Sequence, residues 1–275
     1  MPDIGIELIT RGEQSLGKVL TSVSKQSFTS YGITCVNSSV DPKTSQLLQE
    51  YGVKEITASP ETRALKARYL AHTNSTGSYR LLLDSTRPLE ENALEILISR
   101  YEKFLAVCIR EGSIGHGFWV SQADRLRSMS EKFFLQTVEQ NVAYILPRYY
   151  SAEVLDRSFK SLRKHIDEDL FDRISYGEHH LIYEAAALKK EEITMTDEIL
   201  LKHFEDSSAK SIFRKYMWYG KSQKTLNKLE LDTNAKSFRS HLRPYSSSMI
   251  IPSMKTIPIR SLRVFAFLLG YLILQ

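Results

Sequence analysis

The residues with the most capacity for chemistry close an apolar run. Leu81-Leu82-Leu83-Asp84-Ser85-Thr86 reads as a strand that carries a carboxylate to its carboxyl end, with Arg87 and Pro88 directly after. An acid so placed can ligate a divalent cation that bridges the oxygens of a diphosphate and neutralises departing charge. It can equally cap the turn before Pro88, and the spacing alone does not separate the two. A second acid, Glu178, stands beside His179 at the expected start of a helix. Either could take a proton from a hydroxyl: an imidazole with its ordinary pKa of about 6.5 suits neutral pH, whereas a Glu needs burial to rise that far. Against this, acids favour helix starts on electrostatic grounds alone. His203 can ligate a cation, hydrogen-bond a phosphate, or simply pack on a helix. The run from Phe213 through Lys215 to Tyr219 mixes positive charge with aromatic rings, which fits a phosphate or lipid headgroup and fits a packed amphipathic helix equally well.

These groups need a scaffold, and the first half of the chain supplies one. Ile4–Thr10 reads as a strand, and Leu16, Val19, Leu20 and Val23 recur at helical spacing within Gln14–Lys25. The pattern repeats as strand Tyr31–Val36, helix Thr44–Tyr51, strand Val53–Thr57, helix Pro60–Thr73 and strand Tyr79–Leu83. Alternation at this pace predicts βαβ crossovers and a mainly parallel sheet whose ligands gather at the strand carboxyl ends. After a helix over Glu90–Leu105 the pattern loosens. It predicts a strand with turns over Cys108–Val120, a helix over Ser128–Val138 and a strand over Tyr144–Pro147. Helices are expected over Ser151–His165, Glu178–Lys190 and Asp197–Gly220.

At 275 residues and 42% hydrophobic the chain can bury a sizeable core. Its net charge of +5 suits an anionic partner, yet no compact Lys/Arg run or known module points to nucleic acid. Cys35 and Cys108 each sit in an apolar run, with neither a disulfide framework nor metal-site spacing, which favours a reducing compartment. The start, MPDIGIELIT, lacks a basic segment followed by an apolar one, so the expected location is cytoplasmic. Ser246–Pro258 reads as a linker, and Ile259–Leu274 is apolar with Arg260 and Arg263 at its start. Its uninterrupted part, Val264–Leu274, falls short of the ~20 residues that span a bilayer. It reads as an interfacial helix on the inner membrane face or as a helix packed on protein. No glycine-rich loop follows the first strand, which excludes a Rossmann dehydrogenase and weighs against a nucleotidyltransferase.

Taken in order, ELITRG, SVSKQSF with Gln26, TCVNSSVD, ALKARYLA with Arg68, and YRLLLDSTRPL resemble the N-terminal plan of the family-2 glycosyltransferases, an inverting group with the GT-A fold. Tyr176-Gly177-Glu178-His179 is similar to the family's Gly-Glu-Asp segment, whose acid is the general base. LLKHFEDSSAKSIFRKYMWYGKS is similar to its His, Ser and basic-aromatic helix, which brings His203, Lys215, Tyr219 and Gly220 into correspondence. The resemblance implies a GT-A-like α/β fold, mainly parallel and flanked by helices, with a C-terminal helical region and an apolar tail. Its expected divisions are a transferase domain over 1–222, a linker over 223–258 and a membrane-associated helix over 259–275.

The same resemblance implies a nucleoside-diphosphate sugar as donor and a hydroxyl or phosphate acceptor, and the apolar tail alone makes the expected acceptor a lipid-linked or other membrane-associated glycan. Glu178 and His179 become the base candidates. Thr10, Arg11, Glu13, Asn37, Lys66, Arg68, Asp84, Ser85, Thr86 and Lys215 become contacts of the nucleotide sugar, and Asp84 with His203 the ligands of Mn²⁺ or Mg²⁺. Three positions depart from the family. Asn37-Ser38 replaces a pair of acids, Thr86 ends the Asp-X-Asp, and His179 replaces an Asp. These departures keep a non-catalytic sugar-binding or scaffolding protein in view as the alternative.

Overall fold

Strand β1 (Ile4–Thr10) is buried along almost its whole length, the mark of a central strand covered on both faces. Ile4, Ile6 and Leu8 join Leu81 and Leu83 in the main core, each large side chain contributing about 1.5–3 kcal/mol by leaving water. The computed structural model describes residues 3–132, 145–226 and 256–273. It divides the chain into two units, Met1–Gly112 with Leu146–Lys164 and Phe171–Phe204, and Ser113–Ile145 with His165–Leu170 and Glu205–Gln275.

In the first unit β1 is followed by α1 (Leu16–Ser24), β2 (Tyr31–Asn37), α2 (Pro42–Glu50), β3 (Lys54–Thr57), α3 (Ala64–Asn74), β4 (Tyr79–Asp84) and α4 (Ala93–Tyr101). Local chemistry sets the boundaries. The Asp41 carboxylate accepts from the Lys43 N–H, with Pro42 opening α2. Gly12 lies at φ +84°, a left-handed turn after β1 that other residues resist, and an added Cβ would press on Ser39 Oγ. Next along the chain come β5 (Ala106–Ile114), α5 (Phe118–Lys132) of the second unit, β6 (Tyr149–Ser151), α6 (Ala152–His165), α7 (Glu168–Arg173), α8 (Glu178–Ala186) and β7 (Ile193–Phe204). The sheet order is β3-β2-β1-β4-β6-β5-β7. β1 runs parallel to β2 and β4, β2 runs parallel to β3, and β6 runs antiparallel to both β4 and β5. The expected mixed α/β sheet, parallel through its first four strands, is therefore present.

Three expected elements differ. Asp197–Gly220 is not one helix: β7 occupies Ile193–Phe204, and a helix begins only at Ala209. Backbone pairing decides this, because Lys202 and Phe204 donate to the carbonyls of Pro88 and Thr86, and Glu90 donates to Leu200. Of the strand expected at Tyr144–Pro147, Tyr144 lies outside the described residues, and pairing opens after Pro147, which lacks an N–H, with Arg148, which donates to Val107 and accepts from Leu82. Trp119 and Val120, expected at the end of a strand, stand in α5 instead, after left-handed Gly115 and Gly117 end the strand. The helix expected over Ser128–Val138 and the linker over 223–258 fall largely outside the described residues.

The second unit contains α5, α9 (Ala209–Leu226) and α10 (Ile257–Ile273). Ala123, Leu126, Ile212 and Ile259 form its apolar centre. α9 and α10 meet backbone to backbone, since a Cβ on Gly220 would collide with the Phe267 carbonyl and one on Gly270 with that of Met217. The apolar C-terminal stretch is thus a helix packed against α9. Its other side leaves Ile257, Val264, Phe265, Leu268 and Leu272 exposed. Among the described residues no helix is long and apolar enough to cross a membrane.

Candidate active site

The chain steps from β1 to β2 to β3 and then returns to the opposite side of β1 for β4. Strand order reverses there, and an open α/β sheet leaves a crevice at the carboxyl ends of such a pair. Register places Ile9 opposite Asp84 and Thr10 opposite Asn37, so the predicted residues of three strands reach one edge.

Glu13 ties the loops after β1 and β4 together. Its Oε2 accepts from Thr10 Oγ1 (2.8 Å), the Arg11 N–H (3.0 Å) and Ser85 Oγ (2.5 Å). Ser15 Oγ donates to the Ser85 carbonyl at 2.8 Å, a second link between the loops after β1 and β4. Arg11 Nη2 donates to the Thr62 carbonyl (3.0 Å), fastening the loop before α3. Thr10, Arg11, Glu13 and Ser85 thus form one connected rim.

Asp84 lies at the centre of a guanidinium cluster. Arg68, fully buried on α3, donates from Nη1 to the carbonyls of Glu7 (3.1 Å) and Leu83 (2.8 Å), and from Nη2 to Asp84 Oδ1. Oδ2 accepts from Arg87 Nη1 and from Arg148 Nη1, the latter at 3.2 Å. Arg87 Nε and Arg148 Nε also converge on Glu111 Oε1, at 3.1 and 2.9 Å. Burial pushes the Asp84 carboxyl up, but Arg68, Arg87 and Arg148 together hold it well below the usual carboxylate range.

Gly177, left-handed at φ +81°, turns the chain into α8 and sets Glu178 and His179 beside this cluster. His179 Nε2 lies 3.3 Å from Arg68 Nη2 and 3.2 Å from Arg148 Nη1. Guanidinium groups only donate, so Nε2 must accept and the ring proton sits on Nδ1. Burial, then Arg148 and Arg68, keep the imidazole well below its ordinary pKa and hence neutral. Burial raises the Glu178 carboxyl despite the opposing pull of Arg68, the direction a general base near neutral pH requires.

The remaining expected residues divide. Asn37 is buried, with its amide donating to Ser45 Oγ and Glu55 Oε1 and accepting from the Ser39 N–H, so its polar atoms serve the fold. Lys66 pairs with Asp172 at 3.1 Å, and the Thr86 carbonyl belongs to the β7 pairing. His203 lies on β7, not on a helix, and the pairing that joins Leu89 to Leu201 sets it opposite Arg87. Lys215 belongs to the second unit, where it pairs with Asp206 at 3.3 Å.

Sequence reasoning missed Arg148 and Glu111. Their only signal was a charge inside an apolar run, in LPRYY and in AVCIREG. The donor set does not fit a divalent cation. Both Asp84 oxygens are taken by guanidinium groups, Thr86 offers no carboxylate, and among the described residues no three His, Cys, Asp or Glu gather as a cation site.

No protein-family model matches the chain, and no curated protein matches it in sequence. Its fold is nevertheless shared with crystal structures of S. aureus TarS. TarS 1-349 has a TM-score of 0.54 at 15% identity over 98% of this chain and 81% of that one. The same fragment in complex with UDP-GlcNAc gives 0.52 at 14% identity over the same shares, and in complex with UDP 0.52 at 16% over 85% and 68%. The longer TarS chain gives 0.54 at 15% identity over 90% of this chain, which spans only 44% of it. At such identities the likeness is one of fold, and it makes the α/β sheet GT-A-like.

Proposed function

We propose that the chain is a nucleoside-diphosphate-sugar-dependent glycosyltransferase of the inverting, family-2-like kind. The observation that carries this reading is the meeting of Asp84, Glu178 and His179 at the β1/β4 crevice, in a fold shared with a protein crystallised with UDP-GlcNAc. The donor nucleotide lies along the rim of Thr10, Arg11, Glu13, Ser85 and Thr86, with its diphosphate toward the arginines around Asp84. An acceptor oxygen attacks the anomeric carbon from the face opposite the diphosphate. The new C–O bond forms as the bond to the phosphate oxygen breaks, the electron pair leaves on the diphosphate, and Glu178 takes the acceptor proton. A phosphate acceptor, already ionised, would need no base. The exposed apolar stripe of α10 supports a peripheral place on a membrane and a lipid-linked acceptor.

One observation favours the rival of a non-catalytic binding protein: His179 replaces the acid of the Glu-Asp pair, and its Nε2 is turned to the arginines. A thermal-shift screen of UDP-, GDP- and dTDP-sugars tests the shared premise, since a ligand bound only by the folded state raises Tm. The expected result is stabilisation by one of these donors, followed by sugar release in a turnover assay. Stabilisation without turnover, with a panel of hydroxyl and lipid-phosphate acceptors present, would favour the rival. No shift with any donor would remove both readings.

A further inference from the structure

We propose that Arg68, Arg87 and Arg148 stand where a divalent cation would, so that the diphosphate is held by guanidinium groups without a metal. This rests on the reading of the crevice as a nucleotide-sugar site. A cation at Asp84 would have to displace guanidinium groups from both carboxylate oxygens and then remain beside three positive charges. Of the other carboxylates, Glu111 is already shared by Arg87 Nε and Arg148 Nε, and Glu178 lies beside His179 with its carboxyl pushed up by burial. The arrangement repels a cation and suits an anion.

The division of labour follows from exposure. Arg68, with no exposed surface and pinned to the carbonyls of β1 and β4, is a fixed positive charge behind Asp84. Arg87 and Arg148 keep 18% and 11% of their side chains exposed, so theirs are the guanidinium groups that a phosphate can reach. Planar guanidinium groups offer paired N–H donors that match phosphate oxygens. His179, neutral, accepts from Arg68 and Arg148 through Nε2 and so adds no negative charge to compete with an anion. Asp84 then serves as the spacer that keeps like-charged arginines together until the anion arrives.

Titration calorimetry of the full chain with UDP, UDP-GlcNAc and inorganic pyrophosphate, in EDTA and in Mn²⁺, decides the matter. The expected result is UDP affinity equal in the two buffers within roughly twofold, and at least about tenfold weaker in Arg87→Gln. Arg87→Lys, which keeps the charge but not the paired donors, should fall between, and far-ultraviolet circular dichroism confirms that both variants fold. UDP binding that vanishes in EDTA and returns with Mn²⁺ would overturn the proposal, as would unchanged affinity in Arg87→Gln. Pyrophosphate that binds in EDTA through Arg87, while UDP and UDP-GlcNAc bind no more tightly, leaves the arginine site standing and removes the nucleotide-sugar reading. Failure of all three probes in both buffers removes both.

Discussion

Two carboxylates on neighbouring strands, the buried Glu7 of β1 and the half-buried Asp84 of β4, are both surrounded by cations, yet their surroundings are built differently. Glu7 has no exposed surface, and its Oε1 accepts from His72 Nδ1 (3.0 Å) and lies 3.2 Å from Arg80 Nε. His72 reaches Asp156 Oδ1 with its other nitrogen (2.8 Å) and stacks on Phe159. With His72 protonated, two carboxylates face two cations: the cluster is closed and balanced. Around Asp84, at the carboxyl end of β4, three guanidinium groups gather with Asp84, Glu111 and Glu178, the last with its carboxyl pushed up by burial, and with a neutral histidine. Arg68 touches both clusters, through the Glu7 carbonyl and the Asp84 carboxylate. The contrast teaches that burying a charge does not itself mark a site. Like charges gathered at the carboxyl end of a strand where the sheet order reverses do.

Substitution should separate the two most sharply. Glu7→Ala leaves Arg80 and His72 without their shared anion and should cost about 3–5 kcal/mol in urea unfolding, the range for breaking a buried ion pair. Asp84→Ala removes a carboxylate that keeps 20% of its side chain exposed, so about 1–3 kcal/mol is expected from stability. Its larger effect should be on turnover of the donor, a loss of about 100-fold or more as the arginines lose their shape. Equal stability losses with turnover intact in Asp84→Ala would make both clusters struts.

Much of this contrast was legible in the sequence, though unevenly. β1 through β4 were readable because apolar runs alternate with amphipathic helices and Asn, Asp, Gly and Pro punctuate them, so Asp84 could be placed at a strand end. Arg68, Glu178 and His179 came from the family resemblance, and the geometry brings all of them to Asp84. Arg148 and Glu111 were hidden because a lone charge in an apolar run acquires meaning only once β6 slots between β4 and β5. β7 was misread because Leu200, Leu201 and Phe204 mimic helical spacing locally, while its pairing partners lie far earlier in the chain, at Thr86 to Glu90 and in β5. The Glu7 cluster left no signal beyond one acid in a buried strand.

Acid and base should then pull the two clusters in opposite directions. Burial lowers the His72 pKa, but its hydrogen bonds and proximity to Glu7 and Asp156 more than offset this and raise it. The stability it contributes is full below about pH 6.5, where the unfolded chain is also protonated, and is lost as pH rises through the folded value. His179 is held well below its ordinary value, so under about pH 6.5 the unfolded chain gains a proton that the folded one refuses, and stability falls with falling pH. Urea titrations across this range should show His72→Gln flattening the alkaline slope and His179→Gln the acid one. Slopes that change in the same direction in both variants would erase the distinction.

The smallest effect tests whether the Glu7 cluster is held from within. Asp156 lies on the outer side of His72 with 58% of its side chain exposed, where water screens the pair. Asp156→Asn keeps a hydrogen-bond acceptor and removes only a screened charge, so about 0.2–1 kcal/mol should be lost in urea unfolding. Because Glu7 still holds Nδ1, the alkaline decline of stability should persist in this variant, shifted to lower pH. A loss as large as that in Glu7→Ala would mean that the outer carboxylate, not the buried one, anchors His72, and the closed cluster would be no more interior than the candidate site.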